Sequence, residues 1–334
     1  MGTVAPSPLE RRGTAPRPMP GVPTPSQAST RRRVVADTAM VRRNLVGPLL
    51  IAGEEGRHLS GAIRLAEALA RRDGVNAHVV SVVRPLSSPL SHLVCQVADL
   101  ERHELEACRR QIRQARAQRQ VHEAVGLSTF FSTGVEFGEP VSITADTARL
   151  RAAEYILVGL PGLSSRGRAR VEDTAFRLAK TAGVPVLAVP AHVDRLPRSA
   201  LVNMDLGEAS VRAARATLPL LAAGGSLTLA HVVPEVEFAP PDAGDWVEAG
   251  TRGVAHVLRQ LGDELRLAGD LEVRSVVLKG DPASVLSELA QDFDLTAVGA
   301  PKRPSFGRFL TGSVSADVLR EAGGMVLIAP DRDG

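Results

Sequence analysis

The sequence predicts an α/β protein made of two tandem domains, each a doubly wound, Rossmann-like parallel sheet, after a disordered N-terminal tail. Three observations lead to this prediction. The chain has 334 residues, more than one domain of average size. A unit of about 140 residues occurs twice, and in each unit short apolar runs alternate with helical patterns. Such alternation is typical of a parallel sheet covered by helices on both faces.

The internal repeat is clearest at an offset of 140 residues. Residues 155–159 (YILVG) match 295–299 (LTAVG), and 186–190 (VLAVP) match 326–330 (VLIAP). Because the matching segments keep their order and spacing, the repeat predicts two copies of one fold. The predicted units are a tail at 1–47, a first domain at 48–190 and a second domain at 199–332.

Composition separates the tail from the rest of the chain. The tail holds eight arginines against two acids, and seven of the 23 prolines. It cannot bury enough apolar surface to offset its ordering entropy, so we expect it to be disordered. The remaining 32 basic and 35 acidic residues give a mildly acidic body, so nucleic-acid binding is not expected.

Other composition features exclude whole classes of protein. No run of 18 uncharged apolar residues is present, so no membrane partner is expected. Two cysteines are too few for a disulfide scaffold or a four-cysteine zinc site, and we predict no metal site. Cytoplasmic localisation is the default expectation.

The elements of the second domain follow from its periodicity. Apolar residues spaced three and four apart predict one helix through Val211 and Leu218 and another through Val254 and Leu265. Asp281, followed by proline, predicts a helix start, because Asp caps free N–H groups and Pro fits the first turn. The strands are predicted at 199–204, 227–233, 272–278, 295–298 and 325–329.

The first domain repeats this order with a longer, arginine-rich second helix. Its apolar face is predicted to hold Leu105, Cys108 and Ile112. Cys95 and Cys108 are interpreted as buried small hydrophobes, since no CxxC pattern is present. The arginines at 109–119 are interpreted as a solvated helix face.

The candidate site lies where strands of the second domain end, because ligands of doubly wound sheets bind beyond the carboxyl ends of the strands. A strand ending at Gly299 continues into a basic loop with Lys302, which leads to Gly312 and Ser313 at a predicted helix N-terminus. Free backbone amides there favour an anion. Asp205, at the end of the first strand, is a candidate acceptor for a ribose or a base.

These segments resemble a universal stress protein domain, an adenine nucleotide alpha hydrolase-like fold. The resemblance rests on 201–210 (LVNMDLGEAS), 231–233 (HVV), 280–283 (GDPA) and 312–315 (GSVS). Members that hold ATP use Gly, two residues, Gly, nine residues, then Gly followed by Ser or Thr. Lys302 replaces the second glycine, and its effect on binding is left open. The cofactor-binding residues that the resemblance implies are Asp205, Val233, Gly299, Lys302, Gly312, Ser313 and Val314.

The first domain departs from this motif. Gly159 and Gly162 keep both early glycines, but Glu172 and Asp173 replace the later Gly-Ser pair. We place these acids at a helix N-terminus, where they would repel a polyphosphate by about 4 kcal/mol at 4 Å. Glu54 and Glu55 stand near the place of Asp205. The first domain is therefore predicted to be degenerate, without ATP.

The resemblance implies a nucleotide-responsive binding or regulatory module in stress response, with ATP as the cofactor of the second domain and no dedicated catalytic residue. The alternatives are a ligand-free interaction scaffold and a slow ATP hydrolase. Asp205 capping the first helix, Gly299 as a plain turn residue and His231 as a packed core residue also remain open. The apolar segments 186–189 and 325–329 permit pairing at sheet edges. The resemblance supports such pairing, so we expect the two domains to form a pseudo-dimer, or two chains to pair as a homo-oligomer.

Overall fold

Strands and helices alternate along the chain in a computed structural model, which describes residues 43–55, 58–85, 99–160, 165–234, 244–300 and 322–331. The elements of the first half are β1 (Leu49–Glu54), α1 (Ser60–Asp73), β2 (Ala77–Val83), α2 (Asp99–Val125), β3 (Phe131–Phe137), α3 (Pro140–Leu150), β4 (Tyr155–Leu160), α4 (Ser165–Ala182) and β5 (Val186–Pro190). Those of the second half are β6 (Ser199–Asn203), α5 (Glu208–Thr217), β7 (Ser226–Val233), α6 (Gly244–Arg266), β8 (Glu272–Lys279), α7 (Pro282–Ala290), β9 (Leu295–Ala300) and β10 (Met325–Pro330).

The ten strands form one continuous sheet in the order β3-β2-β1-β4-β5-β10-β9-β6-β7-β8. Neighbouring strands are parallel within each half, which confirms the predicted fold class. At the centre β5 and β10 pair antiparallel, with Leu187 opposite Leu327. The two apolar segments that were predicted to pair therefore join the halves into a single sheet.

In each half the strand order reverses once. The chain runs from β1 outward to β3 and then returns to β4 on the other side of β1, and the second half repeats this at β6 and β9. The helices that follow neighbouring strands then lie on opposite faces and leave a crevice at the carboxyl ends. The fold thus has two switch points, one beside β1 and one beside β6.

The helices cover the sheet in two layers. Helices α1, α5 and α6 pack one apolar cluster on one face, whereas α3, α4 and α7 pack a second cluster on the other. Strands β5 and β10 are buried at every residue, as the unbroken apolar runs in the sequence predict. No helix in the described part of the chain is long and apolar enough to cross a bilayer.

The capping prediction for Asp281 is confirmed. Its side chain accepts a hydrogen bond of 2.9 Å from the Ser284 amide, and Glu139 does the same for Ser142 at the start of α3. The donated bonds favour the charged form, so the pKa of each carboxyl group lies below its ordinary value. The two halves thus begin equivalent helices in the same way.

Hydrogen bonds outside the sheet also tie the halves together. The Tyr155 hydroxyl of β4 donates to the Ala216 carbonyl at 2.7 Å, and Arg72 Nη1 donates to the Leu221 carbonyl at 3.0 Å. Arg43 donates to carbonyl groups of the second half, and Leu45 is buried. The packed chain therefore begins a few residues earlier than the predicted boundary at 47, while 1–42 lie outside the described residues.

The predicted apolar face of α2 is wrong over its first described turns. Cys108 is exposed and Ile112 is 62% exposed, whereas Ala117 and Val121 are the residues that α2 buries against the sheet. Spacing alone placed the larger apolar residues on the packed face, but the apolar residues that α2 buries belong to its later part. Cys95 lies outside the described residues.

Candidate functional site

The strand registers align the two switch points residue by residue. Leu49 of β1 lies opposite Tyr155, and Ala200 of β6 lies opposite Leu295. Because 155 and 295 correspond in the repeat, Leu49 corresponds to Ala200. By the same count Glu54 occupies the place of Asp205, which the sequence alone located only approximately.

Asp205 closes the turn between β6 and α5. Its Oδ1 atom accepts a hydrogen bond of 2.8 Å from the Gly207 amide, and Gly207 is the residue before the helix. Leu206 between them has φ 62°, a left-handed conformation that is costly for a residue with a side chain. The half-buried Asp205 therefore orders the turn before the helix, and no side chain caps α5 itself.

The end of β7 forms the second side of the site. His231 is half-buried, and its Nδ1 atom lies 2.6 Å from the Met204 carbonyl oxygen. Val233, the last residue of β7, is also half-buried, and its carbonyl accepts a hydrogen bond of 3.2 Å from the Gly280 amide. His231 thus links β7 to the residue before Asp205 and is less enclosed than the core histidine that the sequence suggested.

Gly299 has a packing role at the end of β9. A Cβ atom there would lie 2.7 Å from the Ala209 carbonyl carbon and from the Ser210 amide nitrogen. At the corresponding Gly159, a Cβ atom would lie 1.8 Å from the His58 carbonyl oxygen. Gly159 lets β4 pack directly on the chain before α1, and Gly299 lets β9 pack directly on the first turn of α5, which explains both glycines without a ligand.

The structure brings three of the seven predicted site residues to the switch point of the second half. Asp205, Val233 and Gly299 follow or end the neighbouring strands β6, β7 and β9 on the carboxyl side. The other four, Lys302, Gly312, Ser313 and Val314, lie outside the described residues. Within the described part of the chain, no group of His, Cys, Asp or Glu could hold a metal ion.

The switch point of the first half contains a cavity of about 480 Å³. Its inner wall is apolar, from Val82, Val141 and Leu178, and its mouth carries Glu54 and Arg84. The remaining lining residues are Ala52, Gly53, Glu55, His58, Pro140, Thr144, Val158, Gly159 and Thr174. A volume of this size holds a small organic ligand.

Two ion pairs cross the mouth of this cavity. Arg84 Nε lies 2.6 Å from Glu54 Oε1, and Arg113 pairs with Glu55 while donating to the Arg84 carbonyl at 2.8 Å. Neither arginine was predicted from the sequence as part of a site. Alignment of the two repeats could have singled out Arg84, because its counterpart in the second half is the uncharged Pro234. No sequence pattern predicts the contact between Arg113 and the end of β1.

The position of Glu172 and Asp173 was predicted wrongly. Helix α4 begins at Ser165, so both acids lie in the interior of the helix and not at its N-terminus. The motif spacing predicted that α4 begins near residue 172, but the chain becomes helical sooner after β4. Gly162 lies outside the described residues. Repulsion of a polyphosphate by acids at the N-terminus of α4 therefore does not explain an absence of ATP from the first half.

Comparison with known proteins identifies a family. The chain matches the model of the universal stress protein family twice, over 54–190 and 198–330. A universal stress protein of Mycolicibacterium smegmatis is 30% identical over 188 residues, which cover 54% of this chain and 63% of that protein. The match to this curated relative thus spans less than two thirds of its length.

Solved structures show the same fold. A universal stress protein from Archaeoglobus fulgidus aligns with a TM-score of 0.56 at 16% identity, over 88% of this chain and 98% of that one. A structure from Pseudomonas aeruginosa aligns with a TM-score of 0.52 at 14% identity, over 85% and 93% of the two chains. At such identities the likeness concerns the architecture alone.

Proposed function

The chain belongs to the universal stress protein family, and from this premise we propose that it is a nucleotide-responsive binding module in stress response. The second half holds ATP or a related adenine nucleotide, and the first half serves as its structural partner. No residue is assigned a catalytic role. The observation that carries the proposal is the placement of the Asp205 carboxylate at the switch point beside β6.

The chemistry of that place suits a nucleoside. The Gly207 amide holds Oδ1 of Asp205, so the carboxylate is fixed in orientation and can meet the hydroxyl groups of a ribose through Oδ2. Val233 offers an apolar surface at the end of the adjacent strand for the face of a base. Both groups lie on the side of the sheet where doubly wound folds bind ligands.

The phosphates are assigned to the segment between β9 and β10. Lys302 contributes a positive charge, while Gly312, Ser313 and Val314 contribute backbone amides and a hydroxyl group. These roles follow from the family motif and from the affinity of free amides for anions.

The first half is proposed to lack a nucleotide for a reason that differs from the one expected from sequence. Its counterpart of Asp205 is Glu54, which is already paired with Arg84 across the cavity mouth. A ribose would have to displace this guanidinium group, and Glu55 is held by Arg113 beside it. Asp205 is instead bonded through one oxygen to a backbone amide.

Calorimetric titration of the full chain with ATP tests the proposal. Asp205→Asn is expected to weaken binding by about 10- to 150-fold, since a hydrogen bond to a charged group is worth about 1.5–3 kcal/mol. Gly312→Asp is expected to abolish binding, because it places a carboxylate where the phosphates are assigned. Glu54→Gln is the matched control in the first half and should bind ATP as the unmodified chain does.

Two outcomes contradict the proposal in different ways. If the unmodified chain fails to bind ATP at millimolar concentration, a ligand-free scaffold is the better description. If ATP is turned over and the rate falls in Asp205→Asn, the chain is a hydrolase. Equal losses in Asp205→Asn and Glu54→Gln would remove the distinction between the two halves.

A further inference from the structure

Helix α2 extends beyond the surface that packs it. Between residues 107 and 116 every side chain except that of Arg113 is exposed, and burial begins only at Ala117 and Val121. Arg113 is turned inward and reaches Glu55 on the first half. This early part of α2, residues 107–116, therefore exposes most of its side chains and contacts the first half through Arg113 and through Arg110, whose guanidinium group lies 5.5 Å from the centre of the Phe137 ring.

The outward side of this part carries an apolar stripe. Cys108, Ile112 and Ala115 are spaced four and three residues apart, so they lie on one side of the helix, and all three are exposed. The largest of the three, Ile112, is 62% exposed. Because Ala117 and Val121 face the sheet instead, α2 has a packed side and a second apolar side without a described partner, the pattern of an interaction surface.

Charge is divided along the same helix. Residues 107–122 contain five arginines and no acid, whereas 99–106, in the first turns of α2, contain four acids and one arginine. Two such helices attract each other when they run antiparallel, because the acidic end of each then meets the basic part of the other. A parallel alignment would place like charges together.

We propose that α2 pairs antiparallel with α2 of a second copy of this chain. With the two-fold axis between Cys108 and Ile112, Ile112 lies opposite the partner's Cys108, and position 105, a leucine, lies opposite the partner's Ala115. A large residue thus meets a small one where Ile112 faces the partner's Cys108. Position 101, a glutamate, lies opposite the partner's Arg119, because 18 residues complete five helical turns.

The same geometry predicts a weak point at the axis. Arg109 lies beside the stripe close to the two-fold axis, so it approaches the partner's Arg109, and the like charges repel. One helix pair also buries less than the roughly 1,200–2,000 Å² of a standard stable interface. The dimer therefore forms with rising protein concentration and is not permanent.

Sedimentation velocity of the full chain over a range of concentrations tests the pairing. Ile112→Asp should shift the chain to monomer, while Leu150→Asp, which alters an 87% exposed leucine on α3, should leave self-association unchanged. Glu101→Arg and Arg119→Glu should each weaken self-association about tenfold or more. An equimolar mixture of these two variants should restore dimers, since every mixed pair again matches acid with base.

Arg109→Gln separates this proposal from binding to a polyanion. Self-pairing predicts that the variant dimerises more tightly, because the repulsion at the axis is removed. A surface for DNA or anionic lipid predicts the reverse, a loss of binding to a DNA duplex or to phosphatidylserine vesicles. The proposal is overturned if Ile112→Asp sediments as the unmodified chain does, if the charge-swapped mixture stays monomeric, or if Arg109→Gln weakens association.

Discussion

The turns after β1 and β6 occupy the same place in two copies of one fold, yet their acids have different neighbours. Glu54 pairs with Arg84, and Glu55 pairs with Arg113 from α2. Asp205 instead accepts a hydrogen bond from the Gly207 amide in its own turn. The fold thus supplies an acid at each switch point, while other residues determine the partner of that acid, a guanidinium group in the first half and a backbone amide in the second.

Backbone geometry supports this view. Glu55 has φ 52° and Leu206 has φ 62°, so both halves hold a residue with a side chain in the left-handed region immediately after the acid. Such a conformation costs free energy and persists only where the surrounding structure requires it. The shared strain shows that the turn belongs to the architecture of both halves, whatever each half binds.

The largest expected effect concerns Gly159 in β4 and Gly299 in β9, the glycines beside the two switch points. Gly159→Ala places a Cβ atom 1.8 Å from the His58 carbonyl oxygen, a main-chain atom that cannot yield cheaply. We expect a loss of about 3 kcal/mol or more in the free energy of unfolding, and a smaller loss of about 1–3 kcal/mol for Gly299→Ala, where the contact is 2.7 Å. Urea denaturation measures both.

Gly253→Ala is the control for these substitutions. Its Cβ atom meets nothing within 4 Å, and the residue lies inside α6, so alanine should stabilise the helix by up to about 1 kcal/mol. If Gly159→Ala proves no more costly than Gly299→Ala, the packing difference between the two strand ends has no energetic consequence.

The next effect concerns a residue that only the first half possesses. Tyr155 is buried and donates to the Ala216 carbonyl, while Leu295 at the matching place of the second half has no hydroxyl group. Tyr155→Phe leaves that carbonyl without its donor and should lower the free energy of unfolding by about 1–2 kcal/mol. Thermal denaturation of the unmodified chain and of Tyr155→Phe measures this loss of stability.

Tyr155 also makes the free energy of unfolding depend on pH in the alkaline range. Burial, with a smaller contribution from the charge of Glu154, raises the pKa of its phenol above the ordinary value of 10.0. Since the unfolded chain ionises first, stability falls as the pH rises above that value. Tyr155→Phe should lack this alkaline loss, and an unchanged alkaline profile would contradict the assignment.

The smallest expected effect concerns the pH dependence of stability that His78 gives to β2 and that β7 lacks. His78 is buried with Nδ1 2.8 Å from Ser132 Oγ, and burial, followed by the charge of Arg151, lowers its pKa below 6.5. Its stabilising contribution is complete above pH 6.5 and is lost as the pH falls through the folded-state pKa. His78→Thr copies Thr228 of the second half and should reduce this acid loss.

Urea unfolding of both chains between about pH 7.5 and pH 5.5 measures the difference. The chain with His78 should lose more stability over this interval than His78→Thr. Equal losses would show that other groups dominate the acid side of the stability curve.

The sequence predicted most of the fold because the relevant signals are local. The strand expected at 272–278 is β8, one residue longer, and the cap expected at Asp281 is present. Apolar runs, a capping acid and a repeated spacing each depend on a few neighbouring residues. The internal repeat then predicted two matching sheets.

What the sequence did not show depends on distant contacts. Arg113 reaches Glu55 across 58 residues, and no local pattern encodes that approach. The stripe with Ile112 has the same spacing whether it faces the sheet or solvent, so its burial was misjudged. The start of α4 was also misplaced, because the family motif fixes a spacing and not the residue where a helix begins.

The most direct test of the unequal halves is photolabelling of the full chain with an azido analogue of ATP, followed by peptide mapping and by calorimetric stoichiometry. We predict one nucleotide per chain, with label confined to peptides from 199–332 and displaced by ATP. Label in peptides from 48–190, or two nucleotides per chain, would contradict the account.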